Sequence, residues 1–276
     1  MAFAERYKRQ VGLLLRALPH IGQEDCFALK GGTAINLFIR DLPRLSVDID
    51  LVYLPLRPRA ESLAAINGAM MRIAGRIYSA FGRSTTSIAE VQSEGAVVKL
   101  VVRHAGAQIK IEVTPVLRGT VFDSEIRRVS PSVEAAFGFA EMRLVSCADL
   151  YAGKIVAALD RQHPRDLFDV RLLLANEGID DALRQAFVVY LLSHNRPMAE
   201  ILKPGFKSLT DEFTRGFEGM TATPVALADL VATRERLVAE MVGGMPETHR
   251  RSCSPSRAAN RTGHYWRSRS RGSFRR

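Results

Sequence analysis

Residues 29–53 are LKGGTAINLFIRDLPRLSVDIDLVY. A Gly-Gly-Thr turn opens a short apolar segment expected to be helical, and a basic, proline-containing loop then leads into Ser46-Val47-Asp48-Ile49-Asp50-Leu51-Val52. The two-residue period of a strand puts Asp48 and Asp50 on one face and Ile49 and Leu51 on the other. One face is therefore expected to be buried, while the other holds two carboxylates about 7 Å apart.

Anions so close on one strand face repel each other unless a cation lies between them. Magnesium, or manganese in its place, suits that position, because a hard cation takes oxygen ligands and keeps part of its shell for water and substrate phosphates. Gly31 and Gly32 let the backbone approach a phosphate, Thr33 offers a hydroxyl, and the helix start behind them offers free N–H groups. Together these parts describe a site for a nucleoside triphosphate. An isolated D-x-D also fits a solvated strand edge; what separates the two readings is the order of glycine turn, helix and acidic strand.

Working outward, residues 4–18 repeat apolar positions at helical spacing, Phe27-Ala28-Leu29 form a short strand, and 59–81 read as a long helix after Pro55 and Pro58. Strands are expected at 84–91, 96–104 and 107–117, the last two joined by Ala105-Gly106. In the third of these, Gln108, Lys110, Glu112 and Thr114 share a face. If that strand lies beside the acidic one, Glu112 brings a third carboxylate to the metal, and such an acid can also activate an attacking hydroxyl. A solvated Lys110/Glu112 strand is the alternative.

Past Pro115 the pattern turns helical, with helices expected at 147–161, from Pro164 to the stop at Gly178, and at 180–194, 206–217 and 224–242. Lys154 and Arg161 lie two turns apart on one helix face, and Asp166 and Asp169 open the next helix. A lysine amid Ala, Gly and Ile can reach a triphosphate as a point charge while an aspartate orients it. An inter-helix salt-bridge cluster is the structural alternative, and the two are compatible.

KGGTAINLF followed by RLSVDIDLV resembles the nucleotidyltransferase superfamily signature, and its fuller form is similar to the AbiEii/AbiGii toxin family of bacterial abortive-infection and toxin–antitoxin systems. The resemblance covers most of residues 1–248 and is most specific at 31–50 and 154–169. It implies an α+β fold: a nucleotidyltransferase-like mixed sheet with flanking helices over 1–118, then a mostly helical domain over 119–248 that completes the cleft. It also implies a magnesium-dependent enzyme that transfers NMP from NTP, with the tRNA 3′ end as the expected acceptor and an AbiEi-like antitoxin as cognate partner. By the same carry-over, Asp48, Asp50 and Glu112 hold metal, and Gly31, Gly32, Thr33, Ser46, Lys154 and Arg161 bind nucleotide. Asp166 and Asp169 become essential acids. A transferase acting on a protein or a small molecule, or a non-catalytic nucleotide-binding module, remains the alternative.

The chain of 276 residues is 47% apolar, enough for a proper core, and carries a formal charge of +10. Nine arginines and no lysine or acid fall between His249 and Arg276, which leaves only +1 for residues 1–248. The near-neutral body does not advertise an RNA surface, although Arg40, Arg44, Arg57 and Arg59 flank the site. The tail at 249–276 is expected to be disordered. It reads either as an RNA-binding arm, with Tyr265 and Trp266 for stacking, or as the product of a shifted reading frame. Cys26, Cys147 and Cys253 suggest no disulfide framework, the first two being set among apolar residues, and no run is long enough to span a membrane. A cytoplasmic location is the expectation.

Overall fold

A computed structural model describes residues 3–252. Helix α1 (Glu5–Ile21) buries the stripe Val11, Leu14, Leu15 and Leu18, as its spacing requires, and leads into strand β1 (Phe27–Lys30). Gly31 follows with φ +75°, a left-handed conformation that glycine adopts without strain, and opens the short helix α2 (Gly31–Ala34). That helix continues as a π-helical turn over Ile35–Ile39, and a loop returns the chain to β2 (Asp48–Tyr53). Helix α3 (Arg59–Phe81) keeps the bounds its periodicity indicated.

Strands β3 (Thr86–Ser93), β4 (Ala96–His104) and β5 (Ala107–Val113) form a meander. Ala105 and Gly106 make its second turn, both with positive φ, which matches the right-handed twist of the strands they join. Next come β6 (Glu125–Arg128), α4 (Pro131–Phe137) and β7 (Glu141–Leu144), then α5 (Cys147–Asp160), α6 (Pro164–Asn176) and α7 (Asp181–Leu192). The segment expected to be helical at 206–217 shortens to Thr210–Gly216, and that at 224–242 is Leu227–Leu237 continued by a π-helical stretch, Val238–Gly243.

The strands form one mixed sheet in the order β3-β4-β5-β2-β1-β7-β6. β2 runs antiparallel to β1 and parallel to β5, so the acidic strand does lie beside the strand of Glu112, with Asp50 directly opposite it. Ile49, Leu51, Ile109 and Ile111, on the opposite face, are fully buried in the core that α1 and α3 cover. Each such side chain stabilises the fold by about 1.5–3 kcal/mol. With that face held against two helices, a slip of one residue in β2 would bury both aspartates, and the acidic face is thereby fixed outward.

β6 and β7 are not legible as strands in the sequence, and the sheet consequently runs past residue 118, with β7 paired in parallel to β1. Among the described residues no helix is long and apolar enough to cross a membrane, and Cys26 and Cys147 are free thiols. Cys147, expected in apolar surroundings, is exposed. The reading of the tail falls outside the described residues from Cys253 onward; before that, Glu247–Ser252 is helical.

Candidate active site

The centre of the sheet carries a lateral row of charge. On β1, Lys30 is the cross-strand partner of Asp50 on β2; Asp50 partners Glu112 on β5, and Glu112 partners Lys99 on β4. Side chains opposite one another on adjacent strands share a face, so the order + − − + follows from register alone. Lys99 Nζ lies 2.9 Å from the Glu112 carboxylate, and Lys30 Nζ donates to Thr114 Oγ1 at 3.0 Å. Burial raises the Asp50 carboxyl above its ordinary range, against the pull of the Lys30 ammonium. In turn, burial lowers Lys30, against the pull of Asp50 and Glu112.

A cleft of about 380 Å³ opens over the Lys30 and Asp50 end of this row, bordered by Lys30, Gly31, Asp50 and Thr114 on one side and by Lys154 and Arg161 on the other. Gly31 is required there, because a Cβ at that position would collide with the Asp50 carboxylate. Backbone and acid are thus packed against each other at the cleft floor.

The far wall is an ionic cluster. Lys154, only 6% exposed, bonds Asp166 at 2.9 Å and Asp169 at 3.0 Å, while Arg161 grips both oxygens of Asp166 at 2.6 and 2.9 Å. His163, whose side chain accepts from Arg165 N, caps α6 and sets Asp166 and Asp169 on the inner face of its first turns. From the other side, Arg44 reaches Asp169 with Nε at 2.8 Å and Nη2 at 2.6 Å, and Asn36 Nδ2 bonds its Oδ1 at 2.9 Å. Burial alone would raise both aspartates, but the cations around them hold both well below the usual carboxylate range.

The profile of the family described as nucleotidyl transferase AbiEii toxin, type IV TA system, matches residues 13–262. The chain is a member of that family. The match runs past residue 248, where the sequence reading ended the resemblance. Among solved structures, MenT4, a nucleotidyltransferase toxin of Mycobacterium tuberculosis H37Rv, has a similar fold, with TM-score 0.61, 18% identity and 92% of each chain covered. No curated protein matches the chain. This AbiEii-family protein is accordingly a nucleotidyltransferase of a type IV toxin–antitoxin system, and the family implies an NTP substrate and an antitoxin partner.

In this AbiEii chain, Gly31, Asp50, Lys154 and Arg161 border one cleft, as the sequence suggested. Asp48 shares the strand face of Asp50, its register partner on β5 being Lys110. Thr33 and Ser46 are buried and engaged with each other: their hydroxyl oxygens lie 3.0 Å apart, and Thr33 Oγ1 donates to the Asp48 carbonyl. They pin α2 to β2 and thereby fix Asp48; they do not line the cleft. Gly32 is glycine for packing, since a Cβ there would lie 2.6 Å from Arg44 Nη2 and 3.0 Å from Ser46 Oγ.

Glu112 stands beside Asp50, yet its carboxylate is engaged by Lys99, and among the described residues no three His, Cys, Asp or Glu side chains are placed to hold a metal ion. The expected three-acid site is therefore not assembled. Two carboxylates on one strand face still fit a hard cation that completes its shell with water and phosphate oxygens.

Arg44 was expected at the surface near the site; it is 2% exposed and part of the cluster. Arg40 pairs with Glu177 and Arg59 with Glu94. Lys30 and Asn36 are site residues that sequence reasoning missed, as is the place of Arg44 inside the cluster. Their one signal was a polar or charged side chain set in an otherwise apolar or turn-forming stretch.

Proposed function

We propose that this AbiEii protein transfers NMP from an NTP to an RNA hydroxyl in the cytoplasm, that the tRNA 3′ end is the acceptor, and that magnesium is required. The reading rests above all on the packing of the Gly31 backbone against the Asp50 carboxylate at the floor of a cleft whose far wall carries Lys154 and Arg161. That combination pairs an anion-tolerant turn and a metal-type acid with fixed positive charge across the cleft.

Asp48 and Asp50 would hold the ion, which supplies Lewis-acid polarisation of the α-phosphorus and neutralises the triphosphate when bound. The rest is the work of the chain. Gly31 brings the backbone close to the phosphates. Asp166 and Asp169 fix Lys154 and Arg161, so that positive charge faces the cleft without reorganising when charge develops on the leaving group. Glu112, the acid beside Asp50, would receive the acceptor proton on release from Lys99. The acceptor oxygen forms its bond to the α-phosphorus as the α–β bridge breaks, and pyrophosphate departs.

Purified protein incubated with each α-labelled NTP, magnesium and total tRNA tests the reading. Label on tRNA that disappears in Asp50→Asn is the expected result. Label on protein or a small molecule would replace the acceptor, and retained NTP binding with no label anywhere would leave a binding module.

A further inference from the structure

We propose that Lys30 is the cation that receives the triphosphate, and that Lys154 and Arg161 serve chiefly to hold the acids of the cleft wall. This rests on the nucleotidyltransferase reading and names a phosphate contact within it. Among the described residues, the lysine and arginine side chains bordering the cleft are Lys30, Lys154 and Arg161, and they differ in how firmly they are committed.

Lys154 bonds two carboxylates that are 1% and 0% exposed. For its ammonium to move onto a phosphate, it would have to leave buried charge uncompensated, a change that buried ion pairs resist strongly. Arg161 is more exposed, but its Nε and Nη2 are held by the two oxygens of Asp166.

Lys30 is different. Its hydrogen-bond partner is a neutral hydroxyl, Thr114 Oγ1, and Asp50 on the neighbouring strand and Glu112 on the strand beyond it balance its charge without a direct ion pair. Exchanging a hydroxyl acceptor for a phosphate oxygen turns a neutral bond into a charge-assisted one and breaks no direct ion pair. Lys30 also immediately precedes Gly31, so its ammonium and the backbone that approaches the phosphates enter the cleft from the same strand end. A lysine, with three donors on a flexible stem, suits a triphosphate whose position settles only as the nucleotide binds.

The test compares full-length wild type, Lys30→Met and Lys30→Arg for binding of an α,β-methylene NTP analogue, which cannot be cleaved, and of the corresponding NMP, by titration calorimetry. Lys30→Met is expected to weaken the triphosphate analogue by about tenfold or more while leaving the monophosphate within about twofold, and Lys30→Arg to restore most of the loss. A purely structural lysine would affect both ligands alike, and that result overturns the assignment. So does triphosphate affinity equal to wild type in Lys30→Met.

A wild-type chain that binds no triphosphate sinks the transferase reading together with this one, whereas wild-type binding with an indifferent Lys30→Met sinks only the second. Because Lys30→Met could fail to fold, a measurement on wild type stands beside it: amine acetylation read by peptide mass spectrometry. The triphosphate analogue is expected to protect Lys30 where the nucleoside does not, and unchanged acetylation of Lys30 under saturating analogue overturns the proposal.

Discussion

Asp50 occupies a position where its charge is needed and costly. Burial raises its carboxyl, so the fold disfavours its ionised form, and Lys30 offsets that only in part. Asp50→Asn should therefore melt at or above the wild-type temperature while transfer falls by at least about a hundredfold, the size expected when electrostatic support is removed from a transferring group. Thermal melts and the labelling reaction on one preparation check both halves. Arg44 is the reverse case, a charge held for structure: Arg44→Met leaves the fully buried Asp169 carboxylate without its two-pronged partner and should cost about 3–5 kcal/mol. Removing the outer pair through Glu177→Ala, where the glutamate is 53% exposed, should cost only about 0–1 kcal/mol. Denaturant midpoints separate the two, and similar losses would mean that Asp169 finds other support.

At the scale of elements, α6 depends on an N-cap that titrates. His163 Nδ1 accepts the Arg165 N–H and Pro164 fills the first helical position, so the cap works only while that nitrogen is unprotonated. Burial, aided by Arg165, lowers the His163 pKa to about 4 from an ordinary 6.5. Between those values the unfolded chain binds a proton that the folded chain refuses. Stability should thus be complete above about pH 6.5 and decline as the pH falls toward 4. His163→Asn keeps an acceptor at the cap and should flatten that slope; urea melts across pH 4 to 7 read it, and an unchanged slope assigns the effect elsewhere. Elements of this length were also where sequence reading worked best, because α3 carries its apolar stripe through 23 residues and β5 alternates cleanly. β6 and β7 escaped because EIRR and EMRL are four-residue strands whose charges mask any alternation. The acidic face and its neighbour Glu112 were legible from a period of two. Arg44 was not, since nothing local distinguishes a loop arginine in solvent from one that meets an aspartate 125 positions later.

For the molecule as a whole, the cleft is the product of one sheet and one core, so its two walls cannot be taken apart at the point where composition changes. A cut after residue 118 would remove β7 and β6 from the sheet and strip β1 of its parallel neighbour, in which Leu29 faces Leu144. Phe27, Ala28 and Leu29, all 1% exposed or less, would then lie on an open strand edge with part of their cover missing. The same cut takes Asp169 from Arg44 and Asn36, leaving the loop that delivers β2 without its anchor and the Arg44 guanidinium buried among groups chosen for an ion pair. A fragment of residues 1–118 should accordingly show no cooperative unfolding transition and poor amide dispersion by NMR, whereas a chain of residues 1–252 should unfold in a single transition. A fragment 1–118 that melts cooperatively near the longer chain's temperature would show that the first five strands and α1 to α3 hold themselves, and that the ionic wall is an attachment to a finished domain.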